Sequence, residues 1–98
     1  MKTIYRVSKA IDYNGQKERK LFYTENREQA EQWYSDMCKE IDAFAKQNGS
    51  IIYNNKPSER YCTYYAKADE NYHGAIAKFE ENDICRDNFL ELYNLPLF

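Results

Sequence analysis

The chain has 98 residues, of which 43% are hydrophobic and 16% aromatic, and its formal net charge is -2. This length and apolar content predict a single globular domain over residues 1–98 and exclude a disordered chain. A net charge so close to neutral does not favour non-specific binding to nucleic acid or to a membrane. Neither a run of 18 apolar residues nor a secretory leader is visible, so we expect a cytoplasmic protein.

Residues 3–23 have the pattern of a β-hairpin. The segments 3–13 and 16–23 contain β-forming residues, and Asn14-Gly15 between them is the pair that a type I′ turn favours. A two-residue turn fixes the register, but it sets two lysines opposite each other. Because like charges repel, a longer loop is an alternative prediction. The register pairs Tyr13 with Gln16, Asp12 with Lys17, Lys9 with Lys20 and Val7 with Phe22.

Residues 26–49 predict one long amphipathic helix. Asn26 is a preferred N-cap, Gln29 has the spacing of a capping box, and Gly49 is a common helix stop. Apolar residues recur every three or four positions, so they form one stripe that we expect to face the core. The stripe consists of Ala30, Trp33, Tyr34, Met37, Cys38, Ile41, Phe44 and Ala45.

The second half of the chain predicts three further strands and a short helix. We predict strands at 50–53, 60–68 and 72–81, with turns at 54–58 and 69–71. The last strand is ambiguous, because its apolar residues alternate while its alanines and glutamates also suit a helix. Asp83 is the expected cap of a second helix over 84–93. The apolar tail 95–98 either folds onto the core or contacts a partner.

This succession predicts an α+β fold with the elements in the order β-β-α-β-β-β-α. One antiparallel sheet would carry the long amphipathic helix across one face, and the shorter C-terminal helix would lie beside it or cap an edge. An exposed sheet edge or the apolar tail would allow a homodimer.

Three cysteines and one histidine are the candidate groups for nucleophilic or metal chemistry. Cys38, Cys62 and Cys85 are far apart in sequence, and no spacing typical of a zinc site occurs, so we expect no metal and no cofactor. Cys62 and His73 flank one turn and could meet across a hairpin as a nucleophile and its base. A cysteine-dependent enzyme is nevertheless our third hypothesis, because no helix N-terminus lowers the pKa of Cys62.

Tyrosines and acids together suggest a partner-binding surface. The chain has ten tyrosines, whose apolar bodies and polar tips suit interfaces. A concentration of acids can occupy a basic nucleic-acid groove of another protein, although an ordinary solvated face has the same composition. The predicted partner-binding residues are Tyr61, Tyr64, Tyr65, Tyr72, Glu80, Glu81, Asp83 and Asp87.

The basic residues beside the hairpin turn give an alternative hypothesis. Lys17, Arg19 and Lys20 lie on a two-stranded ribbon with tyrosines nearby, a combination that can contact phosphates and stack bases. The same charges also keep an edge strand soluble, and the acidity of the whole chain counts against nucleic acid. Nucleic-acid binding is therefore the second hypothesis.

Three segments of the first half combine into a hairpin-then-helix motif: Tyr13-Asn14-Gly15, Leu21-Phe22-Tyr23-Thr24 and Glu28-Gln29-Ala30-Glu31. Over residues 1–48 the chain resembles short phage and mobile-element proteins with this motif, including some anti-CRISPR proteins, which block a Cas nuclease by direct binding. The resemblance implies a non-enzymatic inhibitor or regulator of a larger host protein, such as a Cas-type nuclease. It assigns no role to an individual residue.

Overall fold

A computed structural model describes residues 2–70 and 73–84 of the chain. Its elements are β1 (Lys2–Tyr13), β2 (Gln16–Thr24), α1 (Arg27–Asn48), β3 (Ile51–Ser58), β4 (Tyr61–Lys67) and β5 (Gly74–Ile84). The five strands form one antiparallel sheet in the spatial order β2-β1-β5-β4-β3, so β2 and β3 are its edges. The predicted α+β class, with an antiparallel sheet and one long helix, is confirmed.

The hairpin of β1 and β2 has the predicted two-residue turn. Asn14 and Gly15 both have positive φ, 52° and 83°, as a type I′ turn requires. All the predicted pairs are present, including Lys9 opposite Lys20. Glu18 and Glu40 relieve the repulsion between the two lysines, because each carboxylate lies within 4 Å of both ammonium groups. The alternative of a longer loop, which the lysine pair suggested, is therefore wrong.

The helix α1 has the predicted caps. The Asn26 side chain accepts a hydrogen bond from the Gln29 backbone N–H at 3.2 Å, and the Asn26 N–H donates to the Thr24 hydroxyl at 3.0 Å. The Thr24 hydroxyl thus accepts the hydrogen bond from the N-cap N–H that the Gln29 side chain would accept in a capping box. Gly49 ends the helix with a left-handed φ of 63°, and its N–H donates to the Ala45 carbonyl.

The core lies between α1 and one face of the sheet. The apolar stripe of the helix is buried or half-buried there, as predicted, and the side chain of Trp33 lies against Phe22 of β2, with 5.2 Å between ring centroids. At Gly74 the backbones approach so closely that a Cβ atom would lie 1.8 Å from the Ala66 carbonyl oxygen. The larger side chains of this core are Tyr5, Val7, Ile11, Met37, Ile41, Phe44 and Phe79.

The turn predicted at 54–58 is wrong, because β3 continues to Ser58 and the chain turns at 59–60. The backbone pairing of Asn54 with Tyr64 and of Asn55 with Thr63 overrides the turn propensity of the asparagines. The register shifts after Asn55, and this irregularity on an edge strand accommodates Pro57, which has no N–H to donate.

The helix cap predicted at Asp83 is also wrong. The backbone of Asp83 belongs to β5 and pairs with Thr3 of the long strand β1. The strand favoured over 72–81 is confirmed as a strand, with Gly74 as its first residue and Ile84 as its last. The remainder of the predicted second helix and the tail 95–98 lie outside the described residues. Within the described ranges, no helix is long and apolar enough to cross a membrane.

Candidate partner-binding surface

The sheet has a second face, which α1 does not cover. Side chains alternate between the two faces along each strand, and residues paired across strands share a face. Val7 and Phe79 face the helix. Arg6, next to Val7 in the chain, and Glu80, next to Phe79, pair with each other and therefore face away from the helix. We call this side the open face. It consists of the even-numbered residues of β1 and β5, the odd-numbered residues of β2 and β4, and the odd-numbered residues of β3 up to the register shift after Asn55.

The large hydrophobic side chains that are exposed within 3–70 and 73–82 all lie on the open face. Ile51 is 64% exposed, Tyr53 48%, Leu21 43% and Tyr61 38%. The Tyr53 ring stacks on the ring of Tyr65, its neighbour on β4, with 6.3 Å between centroids. An apolar group of this kind on one face of a small protein is typical of an interaction site.

One end of the open face is already covered. Ile4 and Tyr23 are 1% and 3% exposed, although both side chains lie on the side away from α1. Next to them, the Arg6 guanidinium binds both carboxylate oxygens of Glu80, each at 2.6 Å. This hydrogen bonding with Glu80 raises the pKa of Arg6 against the opposing effect of burial. The exposed part of the face therefore lies toward β3, β4 and the hairpin turn.

Positive charge surrounds the exposed part of the open face. A shallow depression of about 290 Å³ lies between β2, β1 and β5, with Leu21 and Ile76 among its apolar lining and Arg19 and Lys78 among its cations. Neither Arg19 nor Lys78 forms an ion pair with another described residue. Among the described side chains of the face, the charged ones are Arg6, Lys17, Arg19, Lys67 and Lys78 against Asp12 and Glu80.

The exposed side of α1 has the opposite charge. Five acids and two lysines are exposed along it, and several of the acids are paired within the molecule. Glu31 binds Arg27 at 2.7 Å, Glu40 binds Lys9, and Asp42 accepts a hydrogen bond from Tyr64. These residues form what we call the outer side of α1: Glu28, Glu31, Asp36, Lys39, Glu40, Asp42 and Lys46.

The structure divides the predicted partner-binding residues between the two faces of the sheet. Tyr61, Tyr65 and Glu80 lie on the open face, whereas Tyr64 and Glu81 lie on the helix side. The hydrogen bond from the Tyr64 hydroxyl to Asp42, together with burial, raises the pKa of Tyr64 to about 12. Glu81 binds Arg27 at 2.6 Å and Arg60 at 2.9 Å. Glu80 and Glu81 are thus neutralised by arginines of the same chain.

The other predicted site residues are also divided. Lys17 and Arg19 lie on the open face, and Lys20 lies on the helix side with Glu40. Of Asp83 only the backbone in β5 is described, and Tyr72 and Asp87 lie outside the described residues. The sequence prediction missed three exposed residues of the open face, Leu21, Ile51 and Tyr53, and the half-buried Lys78.

The proposed proximity of Cys62 and His73 is wrong. Cys62 pairs with Phe79, whereas His73 precedes Gly74, which pairs with Lys67 five residues further along β4. Five residues of strand correspond to about 17 Å. The His73 Nδ1 atom lies 3.0 Å from an Asp69 carboxylate oxygen instead. No group of three or more His, Cys, Asp or Glu side chains in the described ranges could hold a metal ion.

The candidate site is thus the sheet face that the helix leaves uncovered, with exposed apolar side chains on β3 and β4, Leu21 on the opposite edge strand β2, and cations between them. No protein-family model, curated protein or solved structure matches the chain.

Proposed function

We propose that the protein is a small non-enzymatic binding module that inhibits or regulates a larger protein and docks onto it through the open face. The observation that carries this proposal is the exposure of Ile51, Tyr53, Leu21 and Tyr61 on that one face. Interfaces are enriched in aromatic residues and arginine, and a few buried anchors supply most of the binding energy. Full burial of a large apolar side chain contributes about 1.5–3 kcal/mol, and each of these partly exposed side chains would contribute a share of that when a partner buries it.

The resemblance of residues 1–48 to short phage and mobile-element proteins supports the choice of target class. Some anti-CRISPR proteins with this motif block a Cas nuclease, so a Cas-type nuclease is the target that the resemblance implies. A partner on the open face would leave the outer side of α1 uncovered, so substitutions on that side serve as controls for binding.

Co-purification tests the proposal. A tagged chain is expressed in the organism that encodes it, beside the variant Ile51→Thr/Tyr53→Thr, which keeps the strand propensity of β3 but removes the exposed apolar groups. We expect the wild-type chain to retain one stoichiometric partner. The variant should lose about 3 kcal/mol of binding, or more than about 100-fold in affinity, and release the partner on washing.

The matched control is Gln32→Ala/Lys39→Ala, which changes two exposed positions of α1. The control should retain the partner as well as the wild-type chain does, and circular dichroism should show that all three proteins are folded. Equal retention by the open-face variant and the control would contradict docking through the open face. Release of the partner by the control alone would also contradict docking through the open face.

Nucleic acid is the second candidate occupant of the open face. The location of Lys17, Arg19 and Lys78 on the same face as Tyr61 and Tyr53 favours it, because cations and aromatic rings together bind single strands. A salt-dependent gel shift that Lys17→Glu/Arg19→Glu abolishes would support it, and no shift at low salt would exclude it.

A further inference from the structure

We infer that the surface bound by the open face is an acidic polypeptide surface. This inference rests on the proposed function and specifies the chemistry of the partner. The described side chains of the open face include five cations and two carboxylates, although the chain as a whole has a net charge of -2. Because charges across an interface are arranged to be complementary, the partner should present carboxylates opposite this excess of positive charge.

The cations that would bind these carboxylates are Arg19 and Lys78. Both lie at the depression beside Leu21 and Ile76, and neither forms an ion pair with a described residue. A partner carboxylate can therefore bind them without breaking an existing ion pair. Arg6 is different, because Glu80 already occupies its guanidinium in a bidentate arrangement. We expect Arg19 and Lys78 to select the partner and Arg6 to hold the sheet together.

The apolar part of the open face favours a polypeptide over a nucleic acid. Tyr53 and Tyr65 pack against each other at an interplanar angle of 28°, so part of each ring is covered by the other and less of it is open to a base. Ile51 is the most exposed of the large hydrophobic side chains, and an aliphatic side chain offers little to a phosphodiester backbone but packs well against protein side chains.

The depression and the apolar group also have the arrangement of a protein interface. Ile76 lies on β5 between the cationic depression and Tyr65, its pairing neighbour on β4. A central apolar region next to charged groups at its border is the usual organisation of such an interface. The partner should accordingly combine apolar side chains with acids, rather than present acids alone.

Binding of defined polymers to the full chain tests this inference. The probes are a fluorescent random copolymer of glutamate and tyrosine, poly-glutamate of the same length, and a 20-nucleotide single-stranded oligothymidylate. We expect the wild-type chain to bind the copolymer more tightly than poly-glutamate, and both more tightly than the oligothymidylate. Raising the salt concentration should weaken binding, because exposed charges are screened.

Two charge-reversal variants locate the interaction. Arg19→Glu/Lys78→Glu should weaken copolymer binding by at least about tenfold, because both cations contact the probe. Lys39→Glu/Lys46→Glu makes the same change of charge on the outer side of α1 and should leave the affinity within about twofold of wild type. Thermal unfolding of each variant shows whether it is folded, and all of these positions are exposed or half-buried.

Each other outcome overturns the inference. Absence of copolymer binding, or equal weakening by the two variants, would show that the open face does not select acids. Tighter binding of the oligothymidylate, lost in Arg19→Glu/Lys78→Glu, would assign the face to nucleic acid. If a partner co-purifies through Ile51 and Tyr53 but the copolymer does not bind, the proposed function holds and the acidic partner is refuted.

Discussion

Lys9 allows a sharp test of how the helix is held on the sheet. Its side chain is 3% exposed, and its ammonium group lies 2.8 Å from Glu18 and 3.2 Å from Glu40. In Glu18→Gln/Glu40→Gln the buried ammonium keeps amide oxygens but loses both opposite charges. Breaking a buried pair costs about 3–5 kcal/mol, and we expect about 2–3 kcal/mol because water reaches the two half-exposed carboxylates.

Lys9→Met should behave differently. It removes the buried charge and keeps the apolar stem, and Glu18 and Glu40 can then be hydrated. The expected change in the free energy of unfolding is less than about 1 kcal/mol in either direction. Urea unfolding followed by the fluorescence of Trp33, which packs against Phe22, measures both variants. A loss in Lys9→Met as large as in the double glutamine variant would refute the reasoning.

The pH dependence of the same comparison gives a second measurement. The hydrogen bond and charge of Lys9 hold the pKa of Glu18 below its usual value of 4.5. A carboxylate whose pKa is lowered by folding adds stability above its unfolded-state pKa and loses it as the pH falls through the folded-state pKa. The advantage of wild type over Glu18→Gln/Glu40→Gln should therefore be complete at neutral pH and shrink below about pH 4.5. A constant difference would contradict this.

Three further predictions concern a cap, a close approach and a thiol. Asn26→Ala should lower the free energy of unfolding by about 1 kcal/mol, and Asn26→Ser by much less, in urea titrations. Gly74→Ala should lower the free energy of unfolding by about 3 kcal/mol, and the thermal midpoint with it, because the new Cβ meets the Ala66 carbonyl oxygen; an unchanged midpoint would refute the close approach. Burial raises the pKa of Cys38, so iodoacetamide should alkylate this thiol at least about tenfold more slowly in the native protein than in urea. The variant Cys62→Ser/Cys85→Ser leaves Cys38 as the thiol that is measured. Equal rates in the two conditions would contradict the prediction.

The elements that the sequence predicted well are those fixed by short-range interactions. Asn14 and Gly15 have the positive φ angles of the expected turn, and the turn alone determines the register of β1 and β2. Asn26 and Gly49 cap α1 through contacts within five residues of each other along the chain. Such signals lie in neighbouring residues, so they can be recognised without knowledge of the fold.

The elements that it missed depend on partners distant in sequence. Asn54 and Asn55 favour a turn locally, but β4 pairs with them and extends β3. Asp83 favours a cap, but β1 is long enough to pair with it. The open face could not be recognised for the same reason, because Leu21 of β2 and Ile51 of β3 come to one face only once the order of the five strands is known.

The charges show the same dependence on distant partners. Glu80 and Glu81 looked available as an acidic surface, yet Arg6, Arg27 and Arg60 neutralise them. Composition records how many acids a segment contains, and it does not record which of them are paired. The prediction of an interaction surface bearing tyrosines stays a prediction, now located on the open face.

Site-specific photo-crosslinking tests the central claim most directly. A benzophenone amino acid replaces Tyr53 on the open face in one protein and Lys39 on the outer side of α1 in another, and both are irradiated in the organism that encodes the chain. Docking through the open face predicts one abundant crosslinked species at Tyr53, identified by mass spectrometry as a protein with an acidic surface, and none above background at Lys39. Crosslinking of the same partner at Lys39 alone would contradict the account.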